Sequence, residues 1–233
     1  MKNVKLNNTL KTAIMAMLMQ AFRYAYEPFV FGNSKEKDSK ELYAKAMKYF
    51  IVIALMAFLV VVFYMDIMRY IISPSYWDGL DVVPIVMAAE IFMGIYFNLS
   101  FWYKREEKTK YAAYITILGL LVTIIFSFIL VPKMGYRGAA WVRLVAEAAM
   151  VVWSYILCQK HYPIPYDLKR MGEYFAVGGG AYLLSVFCVE PLGGVWAIVG
   201  NFILLALATY YAIWREKIDV RGLVRAIIRK FVR

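Results

Sequence analysis

The chain has 233 residues, of which 63% are hydrophobic and only 18% are charged, and its mean hydropathy is +0.59. A soluble domain is nearer half apolar and a quarter charged, so this composition excludes an ordinary water-soluble protein and indicates a membrane protein. The net charge of +11 does not indicate nucleic acid as a partner, because the lysines and arginines fall in short runs between apolar segments.

Seven apolar segments are long enough to cross a bilayer as helices, since about 20 helical residues span its hydrocarbon core. They are residues 12–31, 49–72, 82–103, 111–132, 138–158, 172–190 and 194–214. Lipid offers the backbone no hydrogen-bonding partners, and the alternation typical of a β-barrel is missing. We therefore predict an all-α, polytopic transmembrane helix bundle over residues 1–214. The first segment carries charge at its centre, so an interfacial helix with one span fewer is the alternative.

The connections between the predicted spans alternate between strongly and weakly basic. Assigned alternately to the two faces, they give one face 19 lysines and arginines and the other face 5. Because positive charge is retained on the cytoplasmic face, we predict a cytoplasmic C-terminus and, with seven spans, an outside Met1. An outside N-terminus without a signal peptide leads us to expect further helices upstream. Residues 215–233 place apolar and basic residues at helical spacing, which predicts a cytoplasmic tail that binds anionic membrane lipids.

Residues that could support catalysis or metal binding are scarce. His161 is the only histidine, and a glycine-rich phosphate loop followed by Lys-Ser/Thr is missing. Residues 178–180 are glycines within an apolar span, which indicates close helix packing or a flexible point. The predicted outer connections are too short for a catalytic domain. We therefore expect no enzyme, no metal and no cofactor.

Ionisable groups inside the predicted spans form the candidate site, because a charge at membrane depth costs on the order of 3 kcal/mol or more and generally faces a cavity. Arg23 and Glu27 are four residues apart, as are Arg143 and Glu147, so each pair can neutralise itself on one helical face. Gln20 shares the neighbourhood of Arg23. We expect Arg23, which lies mid-span, to line a water-filled cavity.

The third predicted span carries one polar face. Glu90 lies about 12 Å into this span, and Gly94 and Asn98 follow at the i+4 and i+8 positions. Structural ion pairs between helices are the alternative for these groups. The candidate substrate-binding residues are Arg23, Gln20, Glu27, Glu90, Asn98, Arg143 and Glu147.

Five stretches of the sequence, taken in their order and spacing, can be compared with known protein families. They are QAFRYAYEPFVF (20–31), YAKAMKYF (43–50), VVPIVMAAEIFMGIYFNLSFWYKREEKTKYAAYITILG (82–119), VPKMGYRGAAWVRL (131–144) and PIPYDLKR (163–170). Together they cover most of the chain. They resemble the C-terminal half of bacterial polysaccharide biosynthesis proteins, which are lipid-linked oligosaccharide flippases of the MATE-like MOP exporter superfamily.

The resemblance implies a multi-pass protein of the bacterial inner membrane, with two helical bundles that rock about a central cavity. This chain would be the second bundle, truncated or split from an N-terminal half that is its partner. The implied substrate is an undecaprenyl-pyrophosphate-linked oligosaccharide for lipopolysaccharide or O-antigen synthesis. Arg23 matches a motif position in the bundle's first helix, which implies that it binds the phosphates. Since one bundle cannot open to two sides in turn, we expect no transport by the chain alone.

Two other functions stay open. A multidrug exporter of the same superfamily would use acidic residues such as Glu90 and Glu27 to couple cation entry to efflux. A non-transporting membrane scaffold would recruit glycan-assembly enzymes through its basic loops. The sugar carried and the coupling ion also stay open.

Overall fold

The computed structural model describes residues 39–65 and 74–216, and this part of the chain is almost entirely helical, with no strand. Its α-helices are α1 (Ser39–Phe63), α2 (Val83–Leu99), α3 (Phe101–Arg105), α4 (Lys110–Met134), α5 (Tyr136–His161), α6 (Leu168–Leu184) and α7 (Gly194–Glu216). A 3₁₀ helix, Pro74–Val82, leads into α2, while a π-helical turn, Ser185–Val189, and a 3₁₀ turn, Glu190–Leu192, continue α6. The predicted all-α fold is confirmed.

Six helical stretches in the described ranges are long and apolar enough to cross a membrane. They are Lys40–Phe63, Gly79–Arg105, Lys110–Met134, Tyr136–His161, Leu168–Leu192 and Gly194–Glu216. The protein is therefore a multi-pass membrane protein. The predicted span 12–31 and the tail from residue 217 onward lie outside the described residues.

The helix bounds extend beyond several predicted spans. The first described helix begins at Ser39 and continues into the predicted span that starts at residue 49, with Glu41 in its first turn, where a carboxylate complements the helix dipole. The sixth described stretch begins at Gly194, directly after Gly193, whose φ of 68° lies in the left-handed region that favours glycine. The chain thus reverses between the last two helices in a very short turn.

Helix α1 lies at the centre of the bundle. It packs against α2, α6 and α7, and its buried side chains form half of the main apolar core. Helix α2 also packs against α5, and α5 packs against α4. Helix α4 is therefore the outermost element, and its apolar side chains, such as Phe128, are exposed on the surface of the bundle. Such a surface suits lipid.

Glycines allow two of these helix contacts. A Cβ atom added at Gly94 of α2 would lie 2.1 Å from the Phe50 ring of α1, and one added at Gly178 of α6 would lie 3.3 Å from the Leu55 side chain. Gly179 and Gly180 have no described atom within 4 Å of such a Cβ. Of the three consecutive glycines, only Gly178 is closely packed.

The more basic helix ends gather at one end of the bundle. Lys48 of α1 forms an ion pair with Glu216 of α7, which also accepts a hydrogen bond from Tyr174 of α6. Arg105 of α3 donates a 2.5 Å hydrogen bond to the hydroxyl of Tyr162, just beyond α5. We call this the basic end; it comprises the start of α1, α3, the end of α5, the start of α6 and the end of α7.

Candidate functional site between α2 and α5

Helices α2 and α5 run side by side in the same direction, toward the basic end. Their starting ends are joined by an ion pair between Arg137, in the first turn of α5, and Asp81, in the 3₁₀ helix before α2. Positions equally far along the two helices therefore lie at similar depth. Glu90 and Arg143 are each about 10 Å from the start of their helices, well inside the apolar part.

An ion pair between Glu90 and Arg143 connects α2 to α5 at this depth. The Nη2 atom of Arg143 donates to the Oε1 atom of Glu90 at 2.5 Å. The Glu90 side chain is 8% exposed, whereas that of Arg143 is 39% exposed. The carboxylate thus holds the guanidinium from the α2 side, and more than a third of the Arg143 side chain remains exposed.

The predicted pairing of Arg143 with Glu147 is not the one that forms. Arg143 pairs with Glu90, and no ion pair joins Arg143 to Glu147. Sequence spacing favours partners within one helix, but the packing of α5 on α2 brings a closer carboxylate from another helix. The two carboxylates and the guanidinium still form one cluster, since the charges of Arg143 and Glu90 both act on Glu147.

Glu147 has an unusual environment within this cluster. The residue is 9% exposed, and its Oε2 atom is buried with no hydrogen-bond partner among the described residues. Because an unpaired buried polar atom costs about 1–3 kcal/mol, such atoms are few in folded proteins and often mark a bound water, an ion or a functional site. Glu147 is therefore the strongest candidate in the cluster for a group that binds something.

Further buried polar atoms without partners lie on α2, α3 and α5. Asn98 of α2 donates from Nδ2 to the Gly94 carbonyl at 3.0 Å, but its Oδ1 atom has no partner. The described part of the chain has four such buried side-chain atoms, and all lie on α2, α3 or α5; they belong to Asn98, Trp102, Glu147 and Ser154. We refer to the set Glu90, Asn98, Trp102, Arg143, Glu147 and Ser154 as the polar column.

The polar column ends at an aromatic group at the basic end. The Trp102 ring stacks on His161 with centroids 5.7 Å apart, and the Tyr111 hydroxyl lies 2.8 Å from His161 Nε2. His161 lies in the last turn of α5 and is exposed. Residues 147, 154 and 161 recur every seven positions, which places them on one face of α5.

The other potential sites are weaker candidates for binding a ligand. No group of three or more histidine, cysteine or acidic side chains that could hold a metal occurs in residues 39–65 and 74–216. A surface cavity of about 270 Å³ at the basic end is lined by both signs of charge, including Lys45, Lys48, Glu41 and Asp167. It offers no net preference for an anion or a cation.

Four of the seven candidate residues thus lie on two packed helices: Glu90 and Asn98 on α2, and Arg143 and Glu147 on α5. The structure brings Glu90, Arg143 and Glu147 together, and Asn98 lies further along α2. The other three, Gln20, Arg23 and Glu27, lie outside the described residues. Comparisons of the chain with models of protein families, with curated proteins and with solved structures find no match.

Proposed function

We propose that this chain is one helical bundle of a flippase that moves an undecaprenyl-pyrophosphate-linked oligosaccharide across the bacterial inner membrane. A second bundle, the N-terminal half, would complete the transport cavity. The observation that carries the proposal is the partly exposed side chain of Arg143, whose guanidinium is held by Glu90 at membrane depth.

An arginine at this depth is costly if it faces hydrocarbon, by about 3 kcal/mol or more. An Arg143 side chain that remains 39% exposed after packing therefore supports a water-filled cavity or a partner bundle beside α5. A transporter made of two bundles would place its cavity between them.

The guanidinium is suited to a pyrophosphate. It carries five N–H donors in a planar arrangement, and the 2.5 Å bond to Glu90 occupies one of the two N–H groups of Nη2. The remaining donors can bind phosphate oxygens in a bidentate manner, and the attraction is stronger where water is partly excluded. Glu90 would hold the guanidinium in one orientation, while the lipid tail of the substrate stays in the bilayer.

Glycan export in the source bacterium tests the proposal. Deleting the gene should leave the lipid-linked oligosaccharide on the cytoplasmic leaflet, and the unchanged gene should restore surface glycan. Arg143→Ala should abolish export, and Arg143→Lys should restore part of it, because an ammonium keeps the charge but loses bidentate binding.

Arg137→Ala is the matched control, since Arg137 is also an α5 arginine paired with an acidic residue, but at the helix start. It should export normally. Normal export by Arg143→Ala at equal membrane levels would refute the proposal and favour a scaffold that acts through its basic loops. The chain alone in liposomes should flip no substrate; flipping there would refute the requirement for a second bundle.

A cation-coupled multidrug exporter is the second candidate, because carboxylates outnumber the guanidinium in the cluster. It predicts that cells expressing the protein accumulate less of a cationic drug, and that Glu147→Gln removes this effect. Drug efflux of this kind, with glycan export unaffected by Arg143→Ala, would replace the flippase proposal.

A further inference from the structure

Four buried side-chain atoms of the described chain have no hydrogen-bond partner. They lie on α2, α3 and α5, between the charged cluster and the basic end. We propose that Glu147 is a proton-binding site that exchanges protons with bulk water at the basic end through a hydrated polar column. This inference rests on the proposed transport function, for which it names the coupling ion.

The charged cluster has one excess negative charge, which one added proton would neutralise. Two carboxylates, Glu90 and Glu147, share one guanidinium, and Arg143 makes its ion pair with Glu90 alone. From α2, the titratable group that faces Glu147 is Glu90, and on α5 itself the charged neighbour is Arg143. The titratable residues of α4, the other helix packed on α5, lie near its two ends: Lys110, Tyr111, Tyr114 and Lys133.

The unpartnered atoms indicate where water would lie. Buried polar atoms without a protein partner are the usual ligands of internal water, and each such water makes about three hydrogen bonds. Glu147, Ser154 and His161 succeed one another on one face of α5 at intervals of about 10 Å. Asn98 and Trp102 provide further unpartnered polar atoms on α2 and α3, and the Trp102 ring stacks on His161. His161 is exposed, so this route reaches solvent at the basic end.

The exchange step consumes only a proton. A hydronium ion in bulk water at the basic end passes its proton along the waters to the Glu147 carboxylate. One O–H bond forms on Glu147, one O–H bond breaks on the donor, and a water molecule remains. The cluster thereby changes from one excess negative charge to none, which alters its attraction for an anionic substrate bound to Arg143.

Carbodiimide labelling tests the proton site directly. A hydrophobic carbodiimide reacts with protonated carboxyl groups in apolar surroundings, and mass spectrometry of peptides locates the adduct. With the full chain in its own membranes, we expect an adduct on Glu147 that decreases about tenfold for each pH unit on the alkaline side of its titration. Glu147→Gln should lose this adduct completely.

Glu216 is the internal control, because it is buried but paired with Lys48 and Tyr174, and we expect no adduct there. An adduct on Glu147 that does not change with pH would overturn the inference. So would its absence at every pH.

A matched pair of substitutions tests the route. Ser154→Val and Ser154→Thr add similar volume at a fully buried position, but only threonine keeps the hydroxyl. After a jump to alkaline pH on the basic-end side, the reactivity of Glu147 should fall several-fold more slowly in Ser154→Val than in Ser154→Thr. Equal rates in the two variants would show that protons do not pass Ser154.

The outcomes separate this inference from the proposed function. If glycan export proceeds but Glu147 shows no pH-dependent adduct, the proton site is wrong and the flippase stands. If the adduct behaves as expected but the gene has no effect on glycan export, the flippase is wrong and the proton site stands.

Discussion

The junction of α1, α6 and α7 and the polar column both bury polar side chains inside an apolar bundle. At the junction, Ser185 donates from Oγ to Asn201 Oδ1 at 2.6 Å, and Asn201 donates from Nδ2 to the Phe63 carbonyl at 3.2 Å. Each of these buried side chains is hydrogen-bonded. In the polar column, Asn98, Glu147 and other side chains keep buried atoms without partners in the described chain.

The difference separates a structural role from a functional one. At the junction, hydrogen bonds between polar groups that all have partners join three helices and fix their positions. The stability of the bundle alone accounts for these residues. Charged or unpartnered groups that are buried inside the bundle reduce its stability. Because stability does not explain their presence, they indicate binding or transport. Substitutions in the two regions should accordingly have different consequences.

Breaking the Glu90–Arg143 pair should have the largest effect on stability. Removing one partner of a buried pair costs about 3–5 kcal/mol, and because Arg143 is partly exposed we expect about 3 kcal/mol for Arg143→Ala. Unfolding in mixed micelles with increasing SDS measures this free energy. Glu90→Gln combined with Arg143→Gln should recover much of the loss, since two amides can hydrogen-bond each other. A double variant as unstable as the single one would contradict this account.

Asn201→Ala should have the next largest effect. It leaves Ser185 Oγ and the Phe63 carbonyl without their partner, which we expect to cost about 1–3 kcal/mol in the same unfolding measurement. Glycan export per folded molecule should stay normal, because this junction only holds helices together. Loss of export at normal stability would remove the distinction between the two regions.

The smallest expected effects on the free energy of unfolding come from replacing two buried serines, one in each region. Ser185 is 1% exposed and hydrogen-bonded, whereas Ser154 is 0% exposed and has no described partner. Ser185→Ala should cost about 0.5–1.5 kcal/mol in free energy of unfolding. Ser154→Ala should change this free energy by less than about 0.5 kcal/mol. Equal costs would indicate that Ser154 has a structural partner after all.

The bundle itself could be predicted because the bilayer constrains it strongly. Apolar length alone identified the six spans of the described residues, since a span needs enough residues to cross the hydrocarbon core. The polar face of α2 was also predictable, because Glu90, Gly94 and Asn98 follow the helical period, and all three are buried.

The partners of these residues could not be predicted in the same way. The pairing of Arg143 with Glu90 depends on the register of α5 against α2, which no local spacing encodes, so the nearer residue in sequence, Glu147, was the natural but wrong choice. Trp102 and Ser154 were missed because neutral side chains on apolar helices are normally unremarkable. Their importance follows from the atoms that surround them, not from their residue type.

The most direct test is the accessibility of position 143 to water. In a background with Cys188→Ser, which removes the exposed native cysteine, Arg143→Cys is treated with a small, charged thiol reagent from each side of the membrane. Arg137→Cys at the helix start is the positive control, and Phe128→Cys, on the exposed apolar face of α4, is the lipid-facing control. We predict that positions 143 and 137 react and position 128 does not. No reaction at position 143 from either side, with position 137 reactive, would contradict an aqueous cavity beside Arg143.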